Sequence, residues 1–263
     1  MRFTDAGEFK KETGHEVNGI WFPRVTRILE IKSKPALQNF FKEVGSYQGA
    51  EDIKNKSAEE GSLLHQTVQG VLTGREMVIP ESIRPAVEKF IEFNQDQKIV
   101  IYPEFIEKPI WSGKYRYAGT VDALACIGGK FGVLDIKTST GFYPEYNLQT
   151  SAYVSALQEF EIKKVIGLPQ NIETRWILRI DQKRICDKCG ASLREKGGRR
   201  KIRPGKNNKI LCLEESHEWR DTTGEVELRE FPYLYKDFRA FVAAKILWEW
   251  ENDYWLKKVG YLK

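Results

Sequence analysis

Hydrophobic residues recur with a helical period through the first third of the chain. One of the helices that this period predicts opens with a capping box, Ser57 with Glu60, and stops at Gly74, a residue type that commonly ends helices. Residues 15–30, which precede the helices, indicate a short strand followed by a turn or a helix start. The predicted helices span 36–44, about 57–73 and about 82–97.

From about residue 98 the apolar positions alternate with polar ones, which is the pattern of half-buried strands. Ser-Gly-Lys and Gly-Gly turns separate the first three of these strands. Helices before and after a three-strand meander, with further strands behind it, predict an α/β fold in which helices flank a mixed central sheet. The predicted strands span 98–111, 115–126, 131–138, 173–181 and 225–231, and further helices span about 146–160 and about 234–256.

The composition limits the class of protein. Of the 263 residues, 41% are hydrophobic and 30% are charged, and no apolar run approaches the roughly 20 residues that span a bilayer. These values exclude a membrane protein, a collagen-like fibre and an intrinsically disordered chain. Because the first residues lack the apolar stretch of a secretory signal, we expect the protein in the cytoplasm, or in the cytoplasm of a host cell, and not outside the cell.

Positive charge is concentrated in one segment. Residues 183–212 hold eleven lysines and arginines and two acidic residues, a net charge of +9, although the whole chain carries +5. The segment 183–223 interrupts the last pair of predicted strands, so we interpret it as an insertion into a single domain that covers 1–263. Its basic run, 194–209, predicts a polyanionic partner that is bound through its phosphates, without recognition of base sequence. A solvated charged loop is the alternative.

Two aspartates provide the strongest indication of chemistry. If Gly128-Gly129 is a two-residue hairpin turn, the strand register places Asp122 directly opposite Asp135. Lys137 lies two residues beyond Asp135 and shares its face of the sheet. Two carboxylates so placed repel each other unless they share a proton or a cation, and a hard divalent ion such as Mg²⁺ suits them. The alternative is a pair of acids on a solvated sheet face, neutralised by nearby lysines.

Whether a third carboxylate joins the two aspartates depends on the length of the loop between the first two predicted strands. If Ser112-Gly113-Lys114 forms a three-residue loop, Glu104 lies opposite Asp122. A two-residue loop would shift the register by one and turn Glu104 to the other face.

Three further polar residues lie on predicted helices. His65 falls on the packed face of its helix, where a histidine is often a core residue that has found a partner. Gln149 and Tyr153 are one turn apart on the predicted helix at about 146–160, and alanines flank them on the same face. Ordinary helix packing is the alternative to a functional role for this pair.

The cysteines have the spacing of metal ligands. Cys186 and Cys189 form a Cys-x-x-Cys followed by Gly190, and Cys212 with His217 forms a Cys-x₄-His. In a chain of this size such pairs are more typical of a metal site than of a disulfide framework. We predict a structural Zn²⁺ site with three cysteine ligands and one histidine ligand, which staples a segment poor in core residues. Reduced cysteines in a flexible loop are the alternative.

Four short motifs follow one another along the chain: Gly61-x-x-x-His65, Gly119-Thr120-Val121-Asp122, Asp135-Ile136-Lys137-Thr138-Ser139 and Gln149-x-x-x-Tyr153. Their order resembles that of the PD-(D/E)XK nuclease superfamily, above all the branch with RecB-type nuclease domains, CRISPR-adaptation exonucleases and mitochondrial genome-maintenance exonucleases. Phe22–Leu29 also resembles a Pro-Ser-Val-Thr segment near the start of such domains, with Arg24 where serine is usual. The resemblance covers about residues 20–160 together with the last strand and helix.

This resemblance implies a restriction-endonuclease-like core and a role for each matching residue. Lys137 would orient the attacking water or, less readily, deprotonate it, and Gln149 and Tyr153 would position the scissile strand or brace the lysine. The residues implied as ligands of a catalytic Mg²⁺ or Mn²⁺ are His65, Asp122, Asp135, the main-chain carbonyl of Ile136 and, as an additional acidic position, Glu104.

The function implied is a metal-dependent DNA nuclease, an exonuclease on single-stranded DNA or on DNA with free ends. A structure-specific or nicking endonuclease of the same fold, or a DNA-binding module without catalysis, are the alternatives. Some relatives hold an iron–sulfur cluster on four cysteines. Here that cluster would require Cys126 beside the other three cysteines, and no cysteine precedes the histidine helix, so we do not expect it.

Overall fold

A computed structural model of the chain describes residues 3–32, 35–205 and 212–263. Lys206 and Lys209 of the basic run lie outside the described residues. None of the helices in the described part of the chain has both the length and the apolar character needed to cross a membrane. The helices are α1 Ala6–Thr13, α2 Val25–Ile28, α3 Pro35–Val44, α4 Tyr47–Leu72, α5 Arg84–Gln97, α6 Pro144–Leu157, α7 Phe160–Ile166, α8 Tyr235–Glu251 and α9 Asp253–Lys258. The strands are β1 Gly14–Val17, β2 Ile20–Pro23, β3 Val100–Ile101, β4 Lys108–Ser112, β5 Tyr117–Val121, β6 Ala123–Ile127, β7 Lys130–Lys137, β8 Thr174–Ile185, β9 Ser192–Lys196, β10 Arg199–Arg203 and β11 Thr223–Glu230.

The central sheet is mixed, as the sequence predicts. Its strands lie in the order β10, β9, β8, β7, β6 and β3, and β11 also pairs with β8. Strands β7 and β8 are parallel, whereas the other pairs in this sheet are antiparallel. Two small antiparallel sheets, β1–β2 and β4–β5, lie apart from it. The chain is therefore a mixed α/β protein with helices on both faces of its central sheet.

Alternation along β7 divides its side chains between two cores, one on each face of the sheet. Phe131 and Val133 pack into a core that α6 and α8 complete, whereas Leu134 and Ile136 pack into a core that α4 and α5 complete. Because side chains alternate along a strand, Asp135 lies on the α6 side, in phase with Phe131 and Val133. Near the end of β7 a charged side chain, that of Asp135, therefore lies on the face of the sheet that α6 and α8 cover.

The N-cap of the long helix α4 lies eleven residues before the N-cap that the capping box predicts. Ser46 is its N-cap, with Oγ accepting a hydrogen bond from the main-chain N–H of Gly49 (3.1 Å). Ser57 therefore lies inside the helix, and the side chain of Glu60 accepts a hydrogen bond from a distant part of the chain instead of capping. The predicted end is correct, since the helix stops at Leu72 and Gly74 adopts a φ of +67°.

Two of the predicted strands are broken. The stretch predicted as 98–111 contains β3, then a 3₁₀ turn at Pro103–Phe105, then β4. Pro103 lacks the N–H that a ladder requires, and Glu107 adopts a φ of +47°, so a continuous strand cannot form there. The stretch predicted as 115–126 bends at Asp122, which separates β5 from β6.

A long excursion separates β8 from β11. These strands pair antiparallel from Trp176–Glu230 to Lys183–Thr223, and the chain between them, residues 184–222, is called here the Cys-rich segment. It contains the β9–β10 hairpin, in which Lys196 faces Arg199 across a Gly197-Gly198 turn.

Substitution of Gly132 tests how closely β7 and β8 approach each other. A Cβ at this position would lie 2.1 Å from the carbonyl oxygen of Thr174, which is main chain and cannot move aside. We expect Gly132→Ala to lower the free energy of unfolding by about 1–3 kcal/mol or more. Gly141→Ala is the control, because a Cβ there meets no atom within 4 Å, and it should change stability by no more than about 0.5 kcal/mol. Urea denaturation measures both, and equal stabilities for the two variants would contradict this packing.

Candidate metal-binding and active site

Asp135 and Lys137 form an ion pair at the end of β7. The Asp135 side chain is 1% exposed, and Lys137 Nζ lies 2.8 Å from each of its carboxylate oxygens. Lys137 donates a hydrogen bond to Oδ1, while Oδ2 accepts none from the described residues. An oxygen of a buried carboxylate that has an ionic neighbour but no hydrogen bond retains capacity to bind a cation.

The Gly-Gly turn has the predicted length, and Asp122 comes close to the predicted place. Pairs from Ile127–Lys130 to Ala123–Leu134 confirm the register. The ladder ends there, and the chain bends at Asp122 so that its Oδ2 accepts a hydrogen bond from the main-chain N–H of Ile136 (2.7 Å). Asp122 therefore reaches β7 through its side chain and not through a strand pair, which avoids a direct face-to-face pairing of two carboxylates.

His65 and Glu107 bring a second group of ligands to Asp122. His65 Nδ1 on α4 lies 3.7 Å from Asp122 Oδ2. Gln69, one turn further along α4, donates a hydrogen bond to Glu107 Oε1 (2.9 Å) and a longer one to the main-chain oxygen of Asp122 (3.3 Å). One ligand atom from each of His65, Glu107 and Asp122 lies within 4.8 Å of the others, so these three side chains could share one ion.

The structure brings Glu107, and not Glu104, to this group. Ser112 pairs with Tyr117, so the loop after β4 has four residues, whereas the prediction assumed three. The actual register places Glu107 opposite Asp122, and the Glu107 N–H donates to the Asp122 carbonyl (3.1 Å). Glu104 lies in the 3₁₀ turn before it and is exposed. The predicted pairing of Glu104 with Asp122 is therefore wrong. With a loop of four residues, 113–116, the same register arithmetic places Glu107 opposite Asp122.

Gln149 and Tyr153 of α6 approach Asp135 from the other layer. Gln149 Nε2 donates hydrogen bonds to Asp135 Oδ1 (3.2 Å) and to the Tyr153 hydroxyl (3.0 Å). The ring of Tyr153 occupies the space over Gly119, where a Cβ would lie 2.5 Å from Cε1. The glycine of the Gly119-Thr120-Val121-Asp122 motif is thus needed for α6 to pack closely enough to hold Asp135.

Burial controls the protonation of the site. Burial raises the pKa of Asp122 and of Asp135 to about 6 in each case, against the lowering effect of Lys137. The pKa of Lys137 is raised, because the two aspartates outweigh its burial, so its ammonium stays charged. Burial and the charge of Lys137 lower the pKa of His65 to about 4. The imidazole is neutral, and the two carboxylates are costly to ionise without a counter-charge. A divalent cation would supply that charge and could take the imidazole and the carboxylates as ligands.

An open cleft gives access to two of these residues, His65 and Lys137. It has a volume of about 310 Å³, and its lining includes Gly61 and His65 from α4, Lys137 and Thr138 from the end of β7, and Tyr146 from α6. Tyr146 also places its ring 5.2 Å from Lys137 Nζ, in the geometry of a cation–π contact. A ligand that entered the cleft would meet the charged lysine and the imidazole from opposite walls.

The Cys-rich segment brings together its four predicted ligands. Ligand atoms of Cys186, Cys189, Cys212 and His217 all lie within 4.8 Å of one another, with Cys189 Sγ 3.5 Å from His217 Nδ1. Gly190 has a φ of +69°, and its N–H donates to the Cys186 carbonyl (2.9 Å), which closes the turn beneath the cluster. Burial opposes ionisation of Cys186, but main-chain hydrogen bonds, including one from Cys189, lower its pKa.

Cys126 does not join this cluster. It lies in β6, between the pairs that β6 makes with Val100 of β3 and Phe131 of β7. Among the described residues, the group that could hold a metal here has three cysteines and one histidine. That donor set differs from the four cysteines that the iron–sulfur alternative requires.

Comparison with known proteins leaves the family open. A scan against protein-family models finds no match to the chain, and a search of curated proteins finds none either. The resemblance to PD-(D/E)XK nucleases therefore stays a prediction that depends on the motifs and on the geometry described above.

Substitution of two neighbouring glutamates tests the ligand assignment. We expect Glu107→Gln to weaken Mn²⁺ binding at least about tenfold, because it removes a charged ligand next to Asp122. Glu104→Gln is the matched control and should leave the affinity unchanged, since this side chain, exposed like that of Glu107, lies outside the ligand group. Calorimetric titration with Mn²⁺ measures both. Equal losses in the two variants, or a loss confined to Glu104→Gln, would refute the assignment.

Proposed function

We propose that the protein is a metal-dependent nuclease that hydrolyses phosphodiester bonds of DNA, acting as an exonuclease on single strands or free ends. One observation carries the proposal: a buried aspartate and a charged lysine two residues apart, with a second aspartate, a histidine and a glutamate close by at one end of the sheet. The combination suits a phosphodiester, which is a poor electrophile shielded by its own negative charge.

The restriction-endonuclease-like core is part of this proposal. Helix α4 precedes the antiparallel strands β6 and β7, and α6 then leads to β8, which lies parallel to β7. This order supports the fold that the motifs imply, because it delivers the histidine, both aspartates, the lysine and the Gln-x-x-x-Tyr pair to one end of the sheet.

The residues present fit a divalent cation. His65, Glu107 and Asp122, whose ligand atoms lie within 4.8 Å of one another, would hold it. Asp135 lies outside that group and would join it through Oδ2, which accepts no hydrogen bond from the described residues, and the Ile136 carbonyl is the further ligand that the resemblance implies. Two or three carboxylates favour Mg²⁺, and the imidazole adds tolerance of Mn²⁺. When bound, such an ion lowers the pKa of a coordinated water and offsets the negative charge of the phosphate.

The side chains around this ligand set have separate tasks. Lys137 orients the attacking water and offsets charge on the phosphate; because its pKa is raised, it stays protonated and does not serve as the base. Gln149 holds the carboxylate of Asp135 in place. Burial raises the pKa of Tyr153, so its hydroxyl stays neutral and contributes hydrogen bonds only.

The polar surface beside the cleft supports a nucleic-acid substrate. Arg194 and Lys196 attach the β9–β10 hairpin to the segment that follows Lys137, and Arg200, Lys201 and Arg203 are exposed on the other strand of the same hairpin. Cationic side chains along one edge of a cleft supply the affinity for phosphates that does not depend on sequence.

We also propose that the cysteine cluster of the Cys-rich segment holds Zn²⁺. Three thiol ligands and one imidazole form a closed tetrahedral donor set of the kind that selects zinc and leaves no position for substrate. The segment contributes only a small apolar core, which includes Cys186, Cys189 and Ala191, so a metal would supply the cross-link that its own packing lacks.

Substitutions in the Asp135–Lys137 pair test the nuclease. We expect Asp135→Asn and Lys137→Met each to reduce Mg²⁺-dependent degradation of end-labelled single-stranded DNA at least about 100-fold, with cooperative unfolding retained. Lys130→Met is the control, because Lys130 starts the same strand and is half exposed, paired with Glu230 at the far end. Undiminished degradation by the variants would refute the proposal.

Circular single-stranded DNA separates the modes of cleavage, since an exonuclease leaves it intact and an endonuclease cuts it.

Metal analysis tests the zinc proposal. Protein purified without added metal should contain about one zinc ion per chain and no stoichiometric iron. Cys186→Ser should lose the zinc because it removes a ligand, whereas Cys126→Ser should keep it because Cys126 lies in β6. Inductively coupled plasma mass spectrometry gives the metal content. Zinc that stays bound in Cys186→Ser, or wild-type protein without zinc, would contradict the site.

A further inference from the structure

The β9–β10 hairpin of the Cys-rich segment lies against α4, the helix that carries His65. Its turn approaches the helix so closely that a Cβ on Gly197 would lie 2.2 Å from Ser57 Oγ and 2.4 Å from the carbonyl oxygen of Ile53. The Gly197 N–H donates a hydrogen bond to Glu60 Oε1 (3.0 Å). The tip of the hairpin is therefore fixed to one wall of the candidate cleft.

The same hairpin also holds the opposite wall. Lys196 Nζ donates hydrogen bonds to the carbonyl oxygen (2.7 Å) and to Oγ1 (2.5 Å) of Thr138, the residue that follows Lys137. The ladder between β7 and β8 ends at Lys137, so the Thr138 carbonyl lies beyond the sheet hydrogen bonds. Arg194 donates to the same carbonyl (3.3 Å) and pairs with Asp181 of β8 (2.7 Å).

The position of Lys196 is costly. Burial lowers the pKa of this amine to about 8, and Arg194 adds to the lowering. Buried ammonium groups destabilise a fold unless their hydrogen bonds compensate. The two hydrogen bonds to Thr138 offer that compensation, and they connect the charge to the chain beside Lys137.

The cysteine cluster holds the base of the hairpin. Strand β9 begins at Ser192, directly after the Cys186–Ala191 turn, which is closed by a hydrogen bond from Cys186 N to the Ala191 carbonyl (2.8 Å). The other strand ends near the same turn, since a Cβ on Gly205 would lie 2.6 Å from the Gly190 carbonyl oxygen. Both strands of the hairpin thus start or finish at the metal-ligand turn.

We propose that the hairpin is a positioning element for the candidate active site, with Lys196 joining the chain after Lys137 to α4 and the cysteine-bound metal fixing the hairpin's base. This inference rests on the proposed nuclease function. Lys196 is a positioning residue, because it acts on Lys137 and His65 through Thr138 and through α4 and contacts neither in its described hydrogen bonds. The segment 184–222 would in this way align catalysis without entering the chemistry.

Lys196→Met is the principal test, because it keeps the length of the side chain and removes the ammonium. We expect kcat for single-stranded DNA to fall about tenfold or more, with KM changed less than about threefold, since a misplacement near 1 Å suffices for such losses. Mn²⁺ affinity, measured by calorimetry without DNA, should also fall several-fold. Lys196→Arg should recover most of both values, and Lys130→Met should alter neither.

The outcomes are distinct. A rise in KM with kcat and Mn²⁺ affinity unchanged would make Lys196 a contact to substrate and would overturn the positioning role, as would unaltered values throughout. If the wild-type protein cleaves no DNA, the nuclease proposal fails, yet the Mn²⁺ titration still decides whether Lys196 positions the ligand group.

A second variant tests the link to the cysteine cluster. Cys212→Ser should weaken Mn²⁺ binding to about the same extent as Lys196→Met, and the double variant should lose little more than either single variant, because both act through one hairpin. Circular dichroism and thermal unfolding confirm that the central sheet is retained. Additive losses, or a Cys212→Ser protein with wild-type Mn²⁺ affinity, would show that the cluster does not act on the site.

Discussion

The burial of two aspartates at one end of a β-sheet is the constraint on which the rest of this structure depends. Ionised carboxylates are costly away from water unless charge and hydrogen bonds compensate them. Around Asp135 that compensation comes from Lys137 and Gln149. Around Asp122 it comes from the main-chain N–H of Ile136, whose side chain packs into the core on the other face of the sheet. Both layers of the protein thus contribute to one polar site, and the residual cost favours a bound cation.

The part of the site that the sequence predicts is the part set by local rules. A Gly-Gly turn fixes the β6–β7 register, and strand alternation then assigns Asp135 and Lys137 to one face and Ile136 to the other, all of which the structure confirms. Glu107 escapes prediction because its register depends on a loop whose length is not marked by a Gly-Gly or Asn-Gly pair. In the loop after β4, Arg116 instead adopts a φ of +55°. Arginine is not a residue type that favours this left-handed conformation, so the sequence gives no sign of it.

Long-range contacts also change the meaning of the basic run. The sequence shows an excess of cations, whereas in the described residues Arg194 pairs with Asp181, Arg199 with Glu43 and Arg200 with Glu195. Two of these acids belong to the body of the protein, so part of the run's charge attaches the hairpin to that body. The local pattern could not reveal this, because more than a hundred residues of sequence separate Gly197 from α4. In addition, the part of α4 that precedes the predicted start of the helix ends beside Gly197.

The two groups of potential ligands differ in the metals that their donor atoms favour. Thiolates and imidazole favour zinc, and carboxylates with one imidazole favour magnesium or manganese. The sulfur cluster lies mostly buried in its own turn and has four protein donors, which leaves no position for a substrate. The oxygen-rich cluster borders a cleft through His65, and it has fewer protein donors than a hexacoordinate ion requires, so water and phosphate can complete it. A closed site is suited to holding a hairpin in place, and an open one is suited to chemistry; in the arrangement proposed above, the hairpin between them would be the route by which the first aligns the second.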